Sequence, residues 1–142
     1  MTLEEVLDVS AGRELDALVA EKVMGWVYRE YWGQLVPSEH LDAPMWSEWA
    51  QDKSGDVCRH PINRMPNIPY RGDKPWIPEY STDISAAWEV VEKNKEYWFF
   101  LMYSADMKQW WCEYRVNKQK GRVTADTAPL AICRAALLAM SE

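Results

Sequence analysis

Histidine and cysteine are scarce in this chain, at two and three of 142 residues. Cys58, Cys112 and Cys133 are odd in number and widely spaced, which excludes a disulfide framework and fits a reducing compartment. His40, Cys58 and His60 are the only metal-like set. Cys58-Arg59-His60 lacks zinc spacing and His40 stands alone, so neither a metal nor a cofactor is expected. A Cys–His nucleophile would need an elbow or an oxyanion turn, and neither cysteine has one. Glycine-rich phosphate loops are absent too, and no catalytic constellation is read. An excess of positive charge is also missing. The net charge is -6 and the pI about 5.0, which argues against wrapping duplex nucleic acid and leaves room for a small anionic ligand held by a few arginines. No apolar run approaches the roughly 18 residues of a membrane span. Glu4, Glu5 and Asp8 occupy the place of a basic leader, so no signal peptide is read. Repeats and low-complexity segments are absent.

Aromatic residues are abundant, with nine tryptophans and seven tyrosines. Hydrophobic content of 48% and charged content of 27% are those of one globular domain, taken here as residues 1–142. Residues 1–25 read as N-terminal helices. Thr2 and Glu5 have capping-box spacing ahead of Leu3, Val6 and Leu7, and a second helix spans about Arg13 to Met24 with Gly25 as its stop. Trp26 to Trp32 fits a strand or a continued helix. Residues 33–79 form a proline-rich excursion whose Trp46, Trp49, Tyr70 and Trp76 need somewhere to pack, so it is read as ordered. In residues 80–142 the pattern predicts an α-β-β-β-α core. Ile84, Ala87, Trp88 and Val91 mark the buried face of its first helix, with Ser81, Thr82 and Asp83 as cap candidates. Tyr97 to Tyr103 is apolar throughout and reads as a doubly buried strand. Trp110, Cys112, Tyr114 and Val116 alternate with Trp111, Glu113, Arg115 and Asn117 on the next strand. Lys118 to Gly121 reads as a turn, Arg122–Ala125 as a short third strand, and Pro129 falls in the first turn of the last helix. The fold class is therefore α+β, a helix–sheet–helix sandwich around a small antiparallel sheet.

Arg134 stands out because the helical wheel places this permanent cation on the apolar side of the last helix, flanked by Leu130 and Leu138. Its partner is either an internal carboxylate, such as Asp83 or Glu89, or a bound anion. Alternatively its stem snorkels to the edge. The strand face carrying Trp111, Arg115 and Asn117 offers a ring, a cation and an amide, a set suited to a nucleotide-like ligand or else to a solvated surface. Thr127, at the opening of the last helix, reads chiefly as a cap, although free amides there also attract phosphate.

Three stretches in order carry a family resemblance: Ala11-Gly12-Arg13-Glu14-Leu15-Asp16-Ala17-Leu18 running on to Trp26, Tyr80-Ser81-Thr82-Asp83-Ile84 to Trp88, and Thr127-Ala128-Pro129 to Leu137. Together they resemble the phage ABA sandwich domain, a family found in phages and prophages. The resemblance implies a non-enzymatic phage anti-defence protein in the host cytoplasm, similar to the Thoeris anti-defence sponges of the first type. Such a sponge binds a cyclic ADP-ribose isomer without cleaving it. The resemblance also implies cyclic oligonucleotides as further ligands, and a homo-oligomer with a hexamer among the forms it allows. Arg134 matches the arginine of the family's last helix. Asn117 approaches the same end of the sheet, and Phe99, Phe100 or Trp111 is expected to stack on a base. Arg71, in the proline-rich excursion, is a candidate for an oligonucleotide-type site. A phage structural or regulatory protein and a double-stranded RNA binder are the competing readings. The second lacks the lysines it needs at Asp126-Thr127-Ala128-Pro129.

Overall fold

The computed structural model describes residues 1–40, 50–51, 57–58, 65, 68–72, 74–117 and 119–141, of which residues 50, 51, 57, 58, 119 and 120 are described by their backbone. Trp46, Trp49, the Cys58 side chain and His60 lie outside the described residues. Helix α1 (Leu3–Asp8) is opened by the expected capping box: Thr2 Oγ1 accepts from the Glu5 amide and donates to the Glu5 carboxylate. Helix α2 (Arg13–Lys22) buries Leu15 and Val19 and ends ahead of Gly25, whose φ of 79° turns the chain away. The undecided Trp26–Trp32 stretch turns out to hold a strand. β1 (Val27–Arg29) pairs with β2 (Gln34–Val36) across a turn closed by Gly33. Beyond β2, the described part of the proline-rich excursion holds two-residue strands, β3 (Ala50–Gln51) with β4 (Val57–Cys58) and β5 (Tyr70–Arg71) with β6 (Lys74–Pro75).

The C-terminal half has the expected order of α3 (Ile84–Lys93), β7 (Trp98–Ser104), β8 (Gln109–Val116), β9 (Gln119–Ala125) and α4 (Ala128–Met140). The three strands form one antiparallel sheet in the order β7-β8-β9. This is an α+β sandwich of helices and small antiparallel sheets. α4 lies on β8 and β9 and also meets α1, α2 and α3. It buries Ile132 and Leu137 completely, each worth roughly 1.5–3 kcal/mol of transfer free energy. Thr127 caps α4, its Oγ1 accepting from the Leu130 amide at 3.4 Å, and Pro129 sits in the first turn where its missing N–H costs nothing.

Three expectations are corrected. First, α3 is rotated from its expected face. Ala86, Ala87, Val90 and Val91 are buried, whereas Ile84 and Trp88 are about half exposed, at 49% and 45%. The small side chains face the crowded interior, and Trp88 sits at the rim with its edge on Phe99. Second, β7 is not doubly buried. It is an edge strand whose Phe99 and Leu101 pack on the core while Trp98, Phe100 and Met102 stand outward and exposed. Third, the last strand begins at Gln119. Val116 pairs with Gln119, so the connection is only Asn117 and Lys118, with Asn117 at φ 56°, a conformation asparagine tolerates.

Gly121 therefore belongs to a strand, and its lack of a side chain is structural. A Cβ built there would lie 2.2 Å from the Ala135 carbonyl oxygen and 2.8 Å from the Ala139 amide nitrogen. The α4 backbone rests directly on β9. Gly121→Ala is expected to destabilise the domain by about 1–3 kcal/mol, since backbone cannot yield as a side chain can. Urea unfolding with an unchanged m-value checks it.

Candidate functional site

The first two sequence stretches noted above meet in a buried knot. The Asp16 carboxylate, 1% exposed, accepts from both the Ser81 amide at 2.8 Å and the Ser81 hydroxyl at 2.7 Å. Ser81 Oγ in turn accepts from the Gly12 amide at 2.9 Å. Arg13 reaches the second Asp16 oxygen at 3.2 Å and the Ile77 carbonyl at 2.9 Å. A buried charge survives when its lone pairs are filled in this way. The knot joins α2 to the entry of α3, and its polar groups are occupied with one another.

Arg134 has its partner within the chain. Its Nη2 donates to the Leu7 and Val9 carbonyls at 3.2 and 3.3 Å, which are acceptors at the C-terminal end of α1. A cation there satisfies orphan carbonyls and complements the negative end of the helix dipole. Burial lowers its pKa, opposed by the nearby Asp126, and its Nε is buried without a hydrogen-bond partner. The expected carboxylate, Asp83 or Glu89, does not pair with it.

The other expected site residues fall in several places. Phe99 faces the core and packs against Tyr114 at 4.9 Å between ring centroids. Asn117 lies at the far end of β8, on a hollow of about 280 Å³ shared with Lys22, Asn94 and Tyr97. Arg71 stacks on Trp76 at 3.5 Å beside a hollow of about 370 Å³. Glu79, Asp83 and Glu89 line that hollow and oppose an anion there. The Glu89 pKa is raised, first by burial and then by Asp83. His40 is buried, its Nε2 3.1 Å from the Tyr70 hydroxyl and its ring edge-on to Trp32. Among the described residues no group of three His, Cys, Asp or Glu side chains could hold a metal.

Trp111, Arg115 and Phe100 do come together, on the outer face of the sheet. The register sets Trp98 opposite Arg115, Phe100 opposite Glu113, and Met102 opposite Trp111. Arg122 and Thr124 of β9 lie across from Glu113 and Trp111. Trp98 and Phe100 present parallel rings, 6.0 Å apart and 7° from coplanar. Arg115 lies over Trp98 at 4.1 Å and Arg122 over Trp111 at 5.0 Å. Glu113 pairs with Arg115 at 3.5 Å. A hollow of about 320 Å³ opens over Trp98, Phe100, Met102, Trp111 and Arg122, and a second continues past Trp111 to Leu3 and Leu7 of α1. The Trp111 indole N–H is buried and has no hydrogen-bond partner among the described residues. An unpaired buried donor is uncommon, and here it sits beside an open hollow. The alternation of β8 pointed to this face. Trp98 and Arg122 were missed, because only the register across three strands adds them.

This fold and this sheet define an α+β sandwich of helices on a small antiparallel sheet. The chain belongs to the phage ABA sandwich domain family, whose match covers residues 17–137. A solved crystal structure of a phage protein from Bacillus cereus ATCC 14579 is similar in fold, at 22% identity and a TM-score of 0.56, over 94% of this chain and 95% of that one. No curated protein matches the chain. Among the described residues no helix is long and apolar enough to cross a membrane.

Two outcomes follow for these side chains. Arg134→Ala should release the end of α1 and cost about 1–3 kcal/mol, by the rule for stranded acceptors. Amide exchange at Val6 and Leu7 should accelerate more than in α2. Burial pushes the Cys112 thiol up to about 12, with Glu113 adding to it, and raises Cys133, Tyr80 and Tyr114 in the same direction. Acids whose folded pKa is raised are neutral in the fold, so their contribution is complete below the unfolded cysteine pKa of roughly 8.5 and is lost as pH rises toward 12. Cys112 and Cys133 should therefore resist alkylation at neutral pH until urea unfolds the domain, and urea midpoints should fall steadily above pH 9.

Proposed function

We propose that this chain is a phage- or prophage-encoded anti-defence protein that sequesters a cyclic nucleotide immune signal of the cyclic ADP-ribose type in the host cytoplasm and releases it unaltered. The observation that carries the reading is the outer sheet face, where rings, Arg122 and an indole N–H without a partner among the described residues border one hollow that Glu113 also lines, and Arg115 lies on Trp98. A purine can stack on Trp111 or Phe100, and an arginine lying on a ring keeps its fork of N–H donors for a pyrophosphate. The Trp111 N–H would gain the acceptor it lacks. Retention of this kind requires burial and charge pairing, with no reactive group. Family membership supports the phage context. A homo-oligomer, including a hexamer, and cyclic oligonucleotides as further ligands are part of the same proposal. Arg134 and Thr127 are already engaged at helix ends, and Asn117, Phe99 and Arg71 lie apart from this face.

The test is calorimetry and thermal shift with cyclic ADP-ribose isomers, followed by heat denaturation and chromatography of the released ligand. A rise in melting temperature, full recovery of intact ligand, and loss of the shift in Arg122→Gln and Trp111→Ala are expected. Recovery of a hydrolysed product, or an undiminished shift in both variants, refutes the proposal.

A further inference from the structure

The outer face is larger than one base needs. Trp98 and Trp111 are separated by four residues of register, because Trp111 lies opposite Met102. At roughly 3.4 Å per residue that is about 14 Å. Phe100 stands between them on the same face. Each tryptophan carries its own arginine, Arg115 on Trp98 and Arg122 on Trp111, so the unit of one ring and one cation occurs twice along the sheet. Glu113 lies directly opposite Arg122 in register and pairs with Arg115 on its own strand, an acceptor for exocyclic amino and imino protons. Among the described residues no helix covers Trp98 or Phe100, and α1 reaches only the hollow beside Trp111. Trp98, Phe100 and Met102 are 47%, 42% and 45% exposed.

We infer that this face also binds an unpaired nucleic-acid strand, with bases stacked on Trp98, Phe100 and Trp111 and two phosphates held by Arg115 and Arg122. The inference rests on the reading of the face as a nucleotide site and enlarges its occupant from a single cyclic nucleotide to a strand. Rings on an open antiparallel sheet accept every base through its π face, so recognition is tolerant of sequence. A strand stacked at about 3.4 Å per base covers the 14 Å in roughly four steps, and an extended one in fewer. A duplex keeps its base faces inside its own stack and cannot use the rings. The acidity of the chain is compatible with this, because only two phosphates are neutralised.

Fluorescence anisotropy with uridine mono-, di-, tetra- and octanucleotides tests it, with cyclic ADP-ribose and an RNA duplex as separate arms. Affinity should rise at least about tenfold from mononucleotide to tetranucleotide and then level off, and the duplex should not compete. The salt slope for the tetranucleotide should be about −1.4, two phosphates at roughly 0.7 each. Trp98→Ala and Trp111→Ala should each weaken the tetranucleotide on the order of tenfold. Tyr28→Ala, an exposed ring on β1, should change nothing. Trp98 is exposed, so its variant should fold, and an unchanged melting temperature verifies that. A tetranucleotide that binds no tighter than the mononucleotide, or indifference to Trp98→Ala, overturns the strand proposal. Failure of cyclic ADP-ribose alone, with the tetranucleotide bound as expected, overturns only the immune-signal reading.

Discussion

The closeness of α4 to the sheet at Gly121 is the constraint on which the structure depends. A helix backbone meets a strand backbone there with no side chain between them. The alanines of α4, namely Ala128, Ala131, Ala135, Ala136 and Ala139, are all buried and make that approach feasible from the helix side. With α4 seated so low, α1, α2 and α3 can all reach it. The N-terminal helices are then tied in by polar contacts: Asp16 receives Ser81, and Arg134 holds the end of α1. Packing and polar satisfaction thus serve one arrangement, which is the mark of a sequence that specifies a single fold.

The same arrangement decides where chemistry is available. Interior rings and thiols are spent on the core: Tyr114, Tyr80, Cys112 and Cys133 are fully or nearly fully buried, and burial keeps them neutral. What remains is the opposite face of the sheet, where large rings are left in water together with two guanidinium groups. Exposed aromatics scattered singly need no explanation, but a set aligned by strand register, with cations on top and a stranded N–H below, is what supports the proposal of a ligand there. In that proposal the rings call for a flat ligand, and Arg115 and Arg122 for an anionic one.

Much of the fold was legible in the sequence. The α-β-β-β-α order, the Thr2 capping box, the inward set Cys112 and Tyr114, and Pro129 at the start of the last helix all follow from local rules. Burial was harder. A strand reading Trp-Phe-Phe-Leu-Met carries no alternation, so its apolar outer side looks like a second core face, and only coordinates reveal that Trp98, Phe100 and Met102 stand exposed. In α3 the bulky residues attracted attention, although alanines occupy the crowded side. The helical wheel singled out Arg134, which lies with Leu130 and Leu138 on the half-buried stripe of α4 while the other side of the helix is buried, and no sequence signal marks a backbone carbonyl as a partner. The outer face was half visible: Trp111 and Arg115 were readable from the alternation of β8 and Phe100 was one of three rings the family resemblance left open, while Trp98 and Arg122 required knowledge of which residues lie opposite one another.

The central claim is that the outer face of β7, β8 and β9 is where a nucleotide ligand sits, with the buried Trp111 N–H as its anchor. The most direct measurement is a proton–nitrogen correlation spectrum of the tryptophan indoles, with the Trp111 resonance assigned through Trp111→Phe, recorded during titration with cyclic ADP-ribose. The account predicts that the Trp111 N–H moves downfield as it gains an acceptor, that Trp98 shifts with it, and that the indole of Trp26, buried in the core, stays in place. A saturable ligand that leaves Trp111 and Trp98 unmoved and perturbs α1 around Leu7 and Val9 instead would contradict it.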